Sequence, residues 1–223
     1  MKTTLALIIG TTLLVASSAQ AGGYAGKTGW YVGADAGLTR NNSKYSDLPT
    51  CAGSAACSTS TDKSDSTWRV RAGYQFNENW GVEGAYEDLG QTYSGSRSVN
   101  FPPAVTYSAN QDTTAWTLAA IGKAPISQNR RLKGYGKLGI SRWESKNDWR
   151  TTNSAVVGSA SQTFKDKGTD PVAGIGLEYD VSNQWTVRGG YDRHFNVGQN
   201  SQGNVGTVEK DVDALTIGVS FNF

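Results

Sequence analysis

The sequence predicts an all-β fold, an eight-stranded antiparallel up-and-down β-barrel that crosses a membrane. Three observations predict it. Apolar and polar side chains alternate with period two in one segment after another. Short connections take turns with long polar ones, and aromatic residues gather at both ends of the apolar sets.

The segments, in chain order, are 29–40, 67–77, 79–90, 112–123, 131–143, 170–181, 183–194 and 211–223. In the first, Trp30, Val32, Ala34, Ala36 and Leu38 oppose Tyr31, Gly33, Asp35, Gly37 and Thr39. In the second, Trp68, Val70, Ala72, Tyr74 and Phe76 oppose Arg69, Arg71, Gly73 and Gln75. In the third, Trp80, Val82, Gly84 and Tyr86 oppose Gly81, Glu83, Ala85 and Glu87. The middle four keep the phase more weakly, and the last sets Leu215, Ile217, Val219, Phe221 and Phe223 outward. Each runs about ten to thirteen residues, the reach of a tilted membrane strand. Strands of a soluble sandwich typically run about five or six.

The links 77–79, 124–130 and 182 are short, whereas 41–66, 91–111, 144–169 and 195–210 are long and polar. Short turns on one side and long loops on the other are the outer-membrane barrel pattern, and an even strand count puts both termini on the periplasmic, short-turn side. Trp30, Phe76, Trp80, Tyr179, Trp185, Phe221 and Phe223 then fall near the periplasmic rim, and Trp68, Tyr86, Trp116 and Tyr191 near the outer one. Amphipathic rings favour those two headgroup levels.

Composition excludes the main competitors. Over 223 residues with 37% hydrophobic content, the mature chain carries no repeated runs of about twenty apolar residues, as a helical membrane protein needs. An aromatic content of 10% is too high for a disordered chain. Lys and Arg number 21 against 19 Asp and Glu, with no basic block, so no nucleic-acid partner is expected. One His and two Cys leave little for a metal site or a nucleophilic triad, so no metal, cofactor or enzymatic activity is expected.

Residues 1–21 read as a signal peptide: Lys2, a short apolar run, and Ala19-Gln20-Ala21 before the cut. Residues 22–223 form the barrel domain. Cys51 and Cys57, with five residues between them, lie in a Ser/Thr/Ala-rich stretch and are expected to close a loop disulfide beyond the inner membrane.

The inward phase collects Asp35, Arg69, Arg71, Glu83, Glu87, Lys133, Lys137, Glu178, Arg188 and Asp192. An eight-stranded bore is just wide enough for side chains to fill, and ions there need partners. An internal salt-bridge network follows, with Arg69 near Glu87 and Glu178 near Arg188. Inward glycines such as Gly33, Gly174, Gly190 and Gly218 leave room for it.

The ordered set Gly29-Trp30-Tyr31-Val32-Gly33-Ala34, Gly73-Tyr74-Gln75-Phe76-Asn77, Trp80-Gly81-Val82-Glu83-Gly84-Ala85-Tyr86, Leu89-Gly90, Ala173-Gly174-Ile175-Gly176-Leu177-Glu178-Tyr179, Thr186-Val187-Arg188 and 215–223 resembles the OmpA-type outer-membrane barrel family. The resemblance implies an internal gate of inward Glu and Arg, which falls here on Glu83, Glu178 and Arg188 with the basic Lys137. A lysine that the family carries on its fourth strand aligns with Ile121. It further implies a barrel-only member, since OmpA-like proteins often continue into a peptidoglycan-binding domain and this sequence stops at Phe223. That terminal aromatic resembles the signal read by the outer-membrane assembly machinery.

The expected function is structural and interactive: a barrel in the cell outer membrane that presents four loops to a host-surface or phage ligand. Arg40, Arg142, Arg150 and Arg193, near the outer rim, are candidates for lipopolysaccharide phosphates. The alternative is a small, low-conductance porin for ions and small solutes. His194 reads as a satisfied rim histidine, because no Ser spaced near it in sequence resembles a catalytic pair.

Overall fold

A computed structural model describes residues 27–43, 57–62, 64–99, 105–153, 158–197 and 210–223. The expected signal peptide, and Cys51 of the expected disulfide, lie outside the described residues. The strands are β1 (Gly29–Ser43), β2 (Cys57–Asp62), β3 (Ser64–Gln75), β4 (Trp80–Val99), β5 (Val105–Pro125), β6 (Leu132–Asn153), β7 (Gly158–Asp180), β8 (Trp185–Val197) and β9 (Lys210–Asn222).

Every pairing is antiparallel, each strand meets its barrel neighbours, and β1 against β9 closes the ring. The ninth strand does not add a stave. Asp62 faces Ser94 and Trp68 faces Asp88, so β2 continues β3 upward along β4 in one register. The barrel is eight-stranded.

The turns at the short end are held by side-chain acceptors. Asn77 Oδ1 accepts from the amides of Asn79 and Trp80, both at 2.9 Å. Ser182 Oγ accepts from the amides of Gln184 and Trp185 at 3.2 and 3.0 Å. Such local bonds are how Asn and Ser favour turns. At the same end the amide of Phe223 donates to the carbonyl of Trp30 at 3.0 Å, tying the last residue to the first strand.

Two of the expected long loops, 91–111 and 144–169, are mostly ladder instead. Pairing of β4 with β5 runs up to Val99 and Val105, and that of β6 with β7 to Asn153 and Gly158. The apolar half of the alternation ends where the strands leave the hydrocarbon, but backbone pairing does not depend on it. Gly90, at φ 70°, sits where the β4–β5 register shifts, beside Ser66 and Asp65. That left-handed backbone is open to glycine without a Cβ penalty, and a bulge re-aims the strand there.

The outward face changes from apolar to polar within one step on each barrel strand. The pairs are Leu38 and Arg40, Trp68 and Ser66, Tyr86 and Asp88, Trp116 and Thr114, Ile140 and Arg142, Pro171 and Thr169, Tyr191 and Arg193, Leu215 and Asp213. Below this line the outward apolar side chains are exposed, Leu138 by 70% and Ile175 by 66%, as lipid contact requires. Rings mark both edges. Trp68, Tyr86 and Trp116 stand in a row with centroids 5.7 and 4.9 Å apart, and Trp185, Phe221 and Phe223 meet edge to face at 5.1 and 5.2 Å at the other end.

Candidate functional site

The bore between those two levels holds one connected set of ions. Near the short-turn end, Lys123 Nζ lies 2.8 Å from Glu178, whose other oxygen is 3.2 Å from Arg188 Nε. Arg188 Nη1 donates to Glu83 Oε2 at 2.6 Å, and that oxygen also accepts from the Tyr31 hydroxyl at 2.8 Å. Arg71 reaches Glu83 at 3.4 Å and donates to Asp35 at 2.6 Å. Asp35 accepts from Arg69 at 2.8 Å. Arg69 goes on to Asp192, and Asp192 is 3.0 Å from Lys137. A branch runs from Arg69 to Glu87 at 3.9 Å, and Glu87 is 3.2 Å from His194 Nε2.

Five carboxylates (Asp35, Glu83, Glu87, Glu178, Asp192) thus meet five cations (Arg69, Arg71, Lys123, Lys137, Arg188), all buried except Lys123, which is partly open toward the short-turn mouth. Alternation explains why they share the bore: each sits at odd phase to the lipid-facing residues of its strand. Arg188 also lies over the Tyr135 ring, 4.0 Å from its centroid. A Cβ at Gly33 would stand 2.8 Å from the Arg71 guanidinium, and one at Gly174 would strike Asp192. Both positions are kept empty for those charges.

The register brings together every bore residue expected from the sequence except one. Lys133 is at the short-turn mouth, 2.9 Å from Asp180, which also accepts from Lys27 at 2.8 Å. Lys123 takes the tenth place in the bore. Ile121, where the resemblance expects a lysine, is itself buried, and Lys123 lies one step further along the same face of the strand. Burial pushes the Lys27 ammonium below its usual range, and the bond to Asp180 opposes that shift. Phe223 is 41% exposed and covers the outside of the seam.

Two features of the bore have no signal in the sequence. First, the upper bore carries an apolar cluster, beneath a polar layer in which buried Lys210 donates to Gln111 at 2.6 Å. Leu89, Ala115, Trp143, Val197 and Val212 form a cluster with each member at most 1% exposed. Trp143 Nε1 donates to Asp170 at 2.6 Å, and its indole lies over Gly168. Second, His194 is not on the rim. It is fully buried between Glu87 and Ser141, with its Nδ1 3.2 Å from Ser141 Oγ. A serine, a histidine and a carboxylate therefore do line up, across 53 residues between Ser141 and His194, where spacing along the chain could not reveal it. Ser141 is 1% exposed, so its hydroxyl faces the packed bore.

Of the rim arginines, Arg193 is held by Asp213 through bonds of 2.7 and 3.1 Å. Arg40 and Arg142 stand on the outward boundary, and Arg150 is higher on β6. Asp, Glu and His side chains among the described residues form no group suited to hold a metal ion.

The profile of the outer membrane protein beta-barrel domain matches residues 8–223. The chain belongs to this family. It is similar to outer membrane protein A of Serratia marcescens, with 32% identity over 154 residues, 68% of this chain and 37% of that protein. Outer membrane protein A of Salmonella typhi is 31% identical over 152 residues, 68% of this chain and 38% of its own length. The chain thus spans well under half the length of the relatives it matches. In three dimensions it is similar to OprG of Pseudomonas aeruginosa, at TM-score 0.53 and 16% identity, covering 89% of this chain and 98% of that one. That likeness is one of fold. Family and fold together place the protein in the outer membrane.

Proposed function

We propose that the protein is a structural and surface-interacting barrel, closed to ions at rest by the ionic set in its bore. Both termini are periplasmic, and the tall β4–β7 hairpins and the other loops face outward, toward a host-surface or phage ligand. Outer-membrane lipids, lipopolysaccharide and, during assembly, the machinery that reads Phe223 are the partners of this reading. A Cys51–Cys57 disulfide belongs to it as well.

The observation that carries the closed state is Glu83, which is 2% exposed and engages Arg188, Arg71 and Tyr31 at once. Removing it leaves two guanidinium groups short of a counter-ion in a narrow bore, which favours hydration and movement of the arginines. Planar-bilayer conductance of Glu83→Ala is expected to rise above that of the native protein. An unchanged trace removes the plug.

A small-solute channel is the second reading. Arg188 Nη2, Thr117 Oγ1 and Asp192 Oδ1 have no protein partner and are fully shielded. Buried polar atoms are satisfied by protein or by ordered water, so these three are the points at which water would enter the bore. Liposome swelling tests it: uptake of small sugars supports a pore, and its absence rejects one.

A further inference from the structure

Just above the outer aromatic row, the outward face differs in charge from one arc to the next. On β3–β5 it carries Ser66, Asp88, Thr114 and Asp112. On β6–β7 it carries Arg142, Lys146, Lys165 and Lys167 against Glu144 and, one step above Lys146, Asp148, which accepts from Thr163, with Asp112 bordering the patch on β5. Glu144 is committed to Lys167 at 3.0 Å and Lys165 at 4.0 Å. Arg142 follows Ile140, the last outward apolar residue on its strand, and stands opposite Trp116. It is exposed, so its guanidinium is level with the headgroups that bound the hydrocarbon.

One ladder position makes the patch more than solvated charge. Lys146 faces Lys165 directly across the β6–β7 pair and Asp112 across the β5–β6 pair, and all three side chains are exposed. Like charges directly opposite destabilise a sheet. A doubly charged anion seated between them reverses that sign, and Arg142 below supplies the forked donors that phosphate oxygens fit.

We propose that the β6–β7 wall binds the phosphate groups of an outer-leaflet glycolipid, with Lys146 and Lys165 closing on a phosphate above Arg142. The proposal rests on the reading that the tall hairpins face outside. It narrows the rim arginines to one. Arg193 is occupied by Asp213, Arg40 stands opposite that same carboxylate across β1–β9, and Arg150 lies eight positions past Arg142, roughly 25 Å further along the strand and above the headgroups.

The test uses the full chain refolded in phosphatidylcholine nanodiscs and titrated with bisphosphorylated lipid A, dephosphorylated lipid A or inorganic phosphate. Bisphosphorylated lipid A is expected to bind saturably and the dephosphorylated form not to bind. The double variant Lys146→Gln/Lys165→Gln is expected to lose about tenfold in affinity while keeping the gel shift of a folded barrel. Arg150→Gln is expected to bind as the native chain does. Equal affinity in the lysine variant overturns the site, and so does inorganic phosphate that binds as tightly as the glycolipid. Orientation is read separately, by labelling Ser161→Cys on intact cells with an impermeant maleimide in a Cys51→Ser/Cys57→Ser background. Label with unchanged lipid affinity overturns the site alone; no label overturns the orientation and the outer-leaflet ligand with it.

Discussion

Strand β6 turns its polarity inside out along its own length. In its lower part Leu138 and Ile140 face outward and Lys137 faces the bore; higher up, Glu144 and Lys146 face outward and Trp143 faces in. The same strand thus has two solvents on its outer face. Where hydrocarbon surrounds the barrel, the wall is apolar and the polar residues are driven to a paired, ionic interior. Where water surrounds it, the hydrophobic effect runs the usual way and an apolar cluster gathers inside. A single backbone ladder carries both regimes because its hydrogen bonds are indifferent to which face is greasy.

The sharpest way to break this contrast is to empty the upper core. Trp143→Ala removes the largest member of a cluster that excludes water and should lower unfolding stability by about 3–5 kcal/mol. Urea titration of the protein in detergent micelles measures it, and a loss below about 1 kcal/mol would show that the upper ladder has no packed core. Next in size is a charge placed on each outer face. Ile175→Lys, in the lower band, should cost about 2–4 kcal/mol in lipid vesicles, whereas Thr163→Lys, on the upper wall, should stay within about 0.5 kcal/mol. Equal costs would place the boundary wrongly.

The smallest expected effect separates the two arcs of the upper wall. On the acidic arc, burial first and then the Asp148, Asp88 and Asp65 charges raise the Asp112 carboxyl above its ordinary value. On the basic arc, the Lys167 hydrogen bond and charge hold the Glu144 carboxyl below its own. A raised folded value means that ionised Asp112 opposes folding, a penalty that fades as pH falls below the unfolded carboxylate range. Asp112→Asn should therefore stabilise the barrel at neutral pH and lose that gain near pH 4. Glu144 has the opposite sign: its contribution is present at neutral pH and lost on acidification. Urea midpoints of Asp112→Asn and Glu144→Gln at pH 7.5 and 4 check both directions. Parallel shifts of the two variants would erase the distinction between the arcs.

Much of the fold could be read directly. The phase of Trp30, Val32, Ala34, Ala36 and Leu38 against Tyr31, Asp35 and Thr39 fixes which face meets lipid, because a strand's period is two and a one-residue slip would invert every side chain. Once the phase is known, the charged residues of the bore follow by elimination, as Arg69 opposite Glu87 and Glu178 opposite Arg188 illustrate. The length of the upper ladder was not legible, because in water an outward polar residue on a strand looks the same as one in a loop. The Lys123 position was missed for a different reason: it sits at a strand end, where phase is weakest and neighbours decide.

Sequence alone determined the strand count, the two faces and the sign of the interior charges, since each depends only on alternation and on where polarity can be solvated. Tertiary structure decided the partners. Whether Asp192 reaches both Arg69 and Lys137, whether His194 turns to Glu87, and whether Trp143 seals the bore all depend on the stagger with which the sheet closes, and on side chains that meet across the barrel from strands far apart in the chain. Alternation is a local property of a strand; distance across a closed bore is a property of the whole ring.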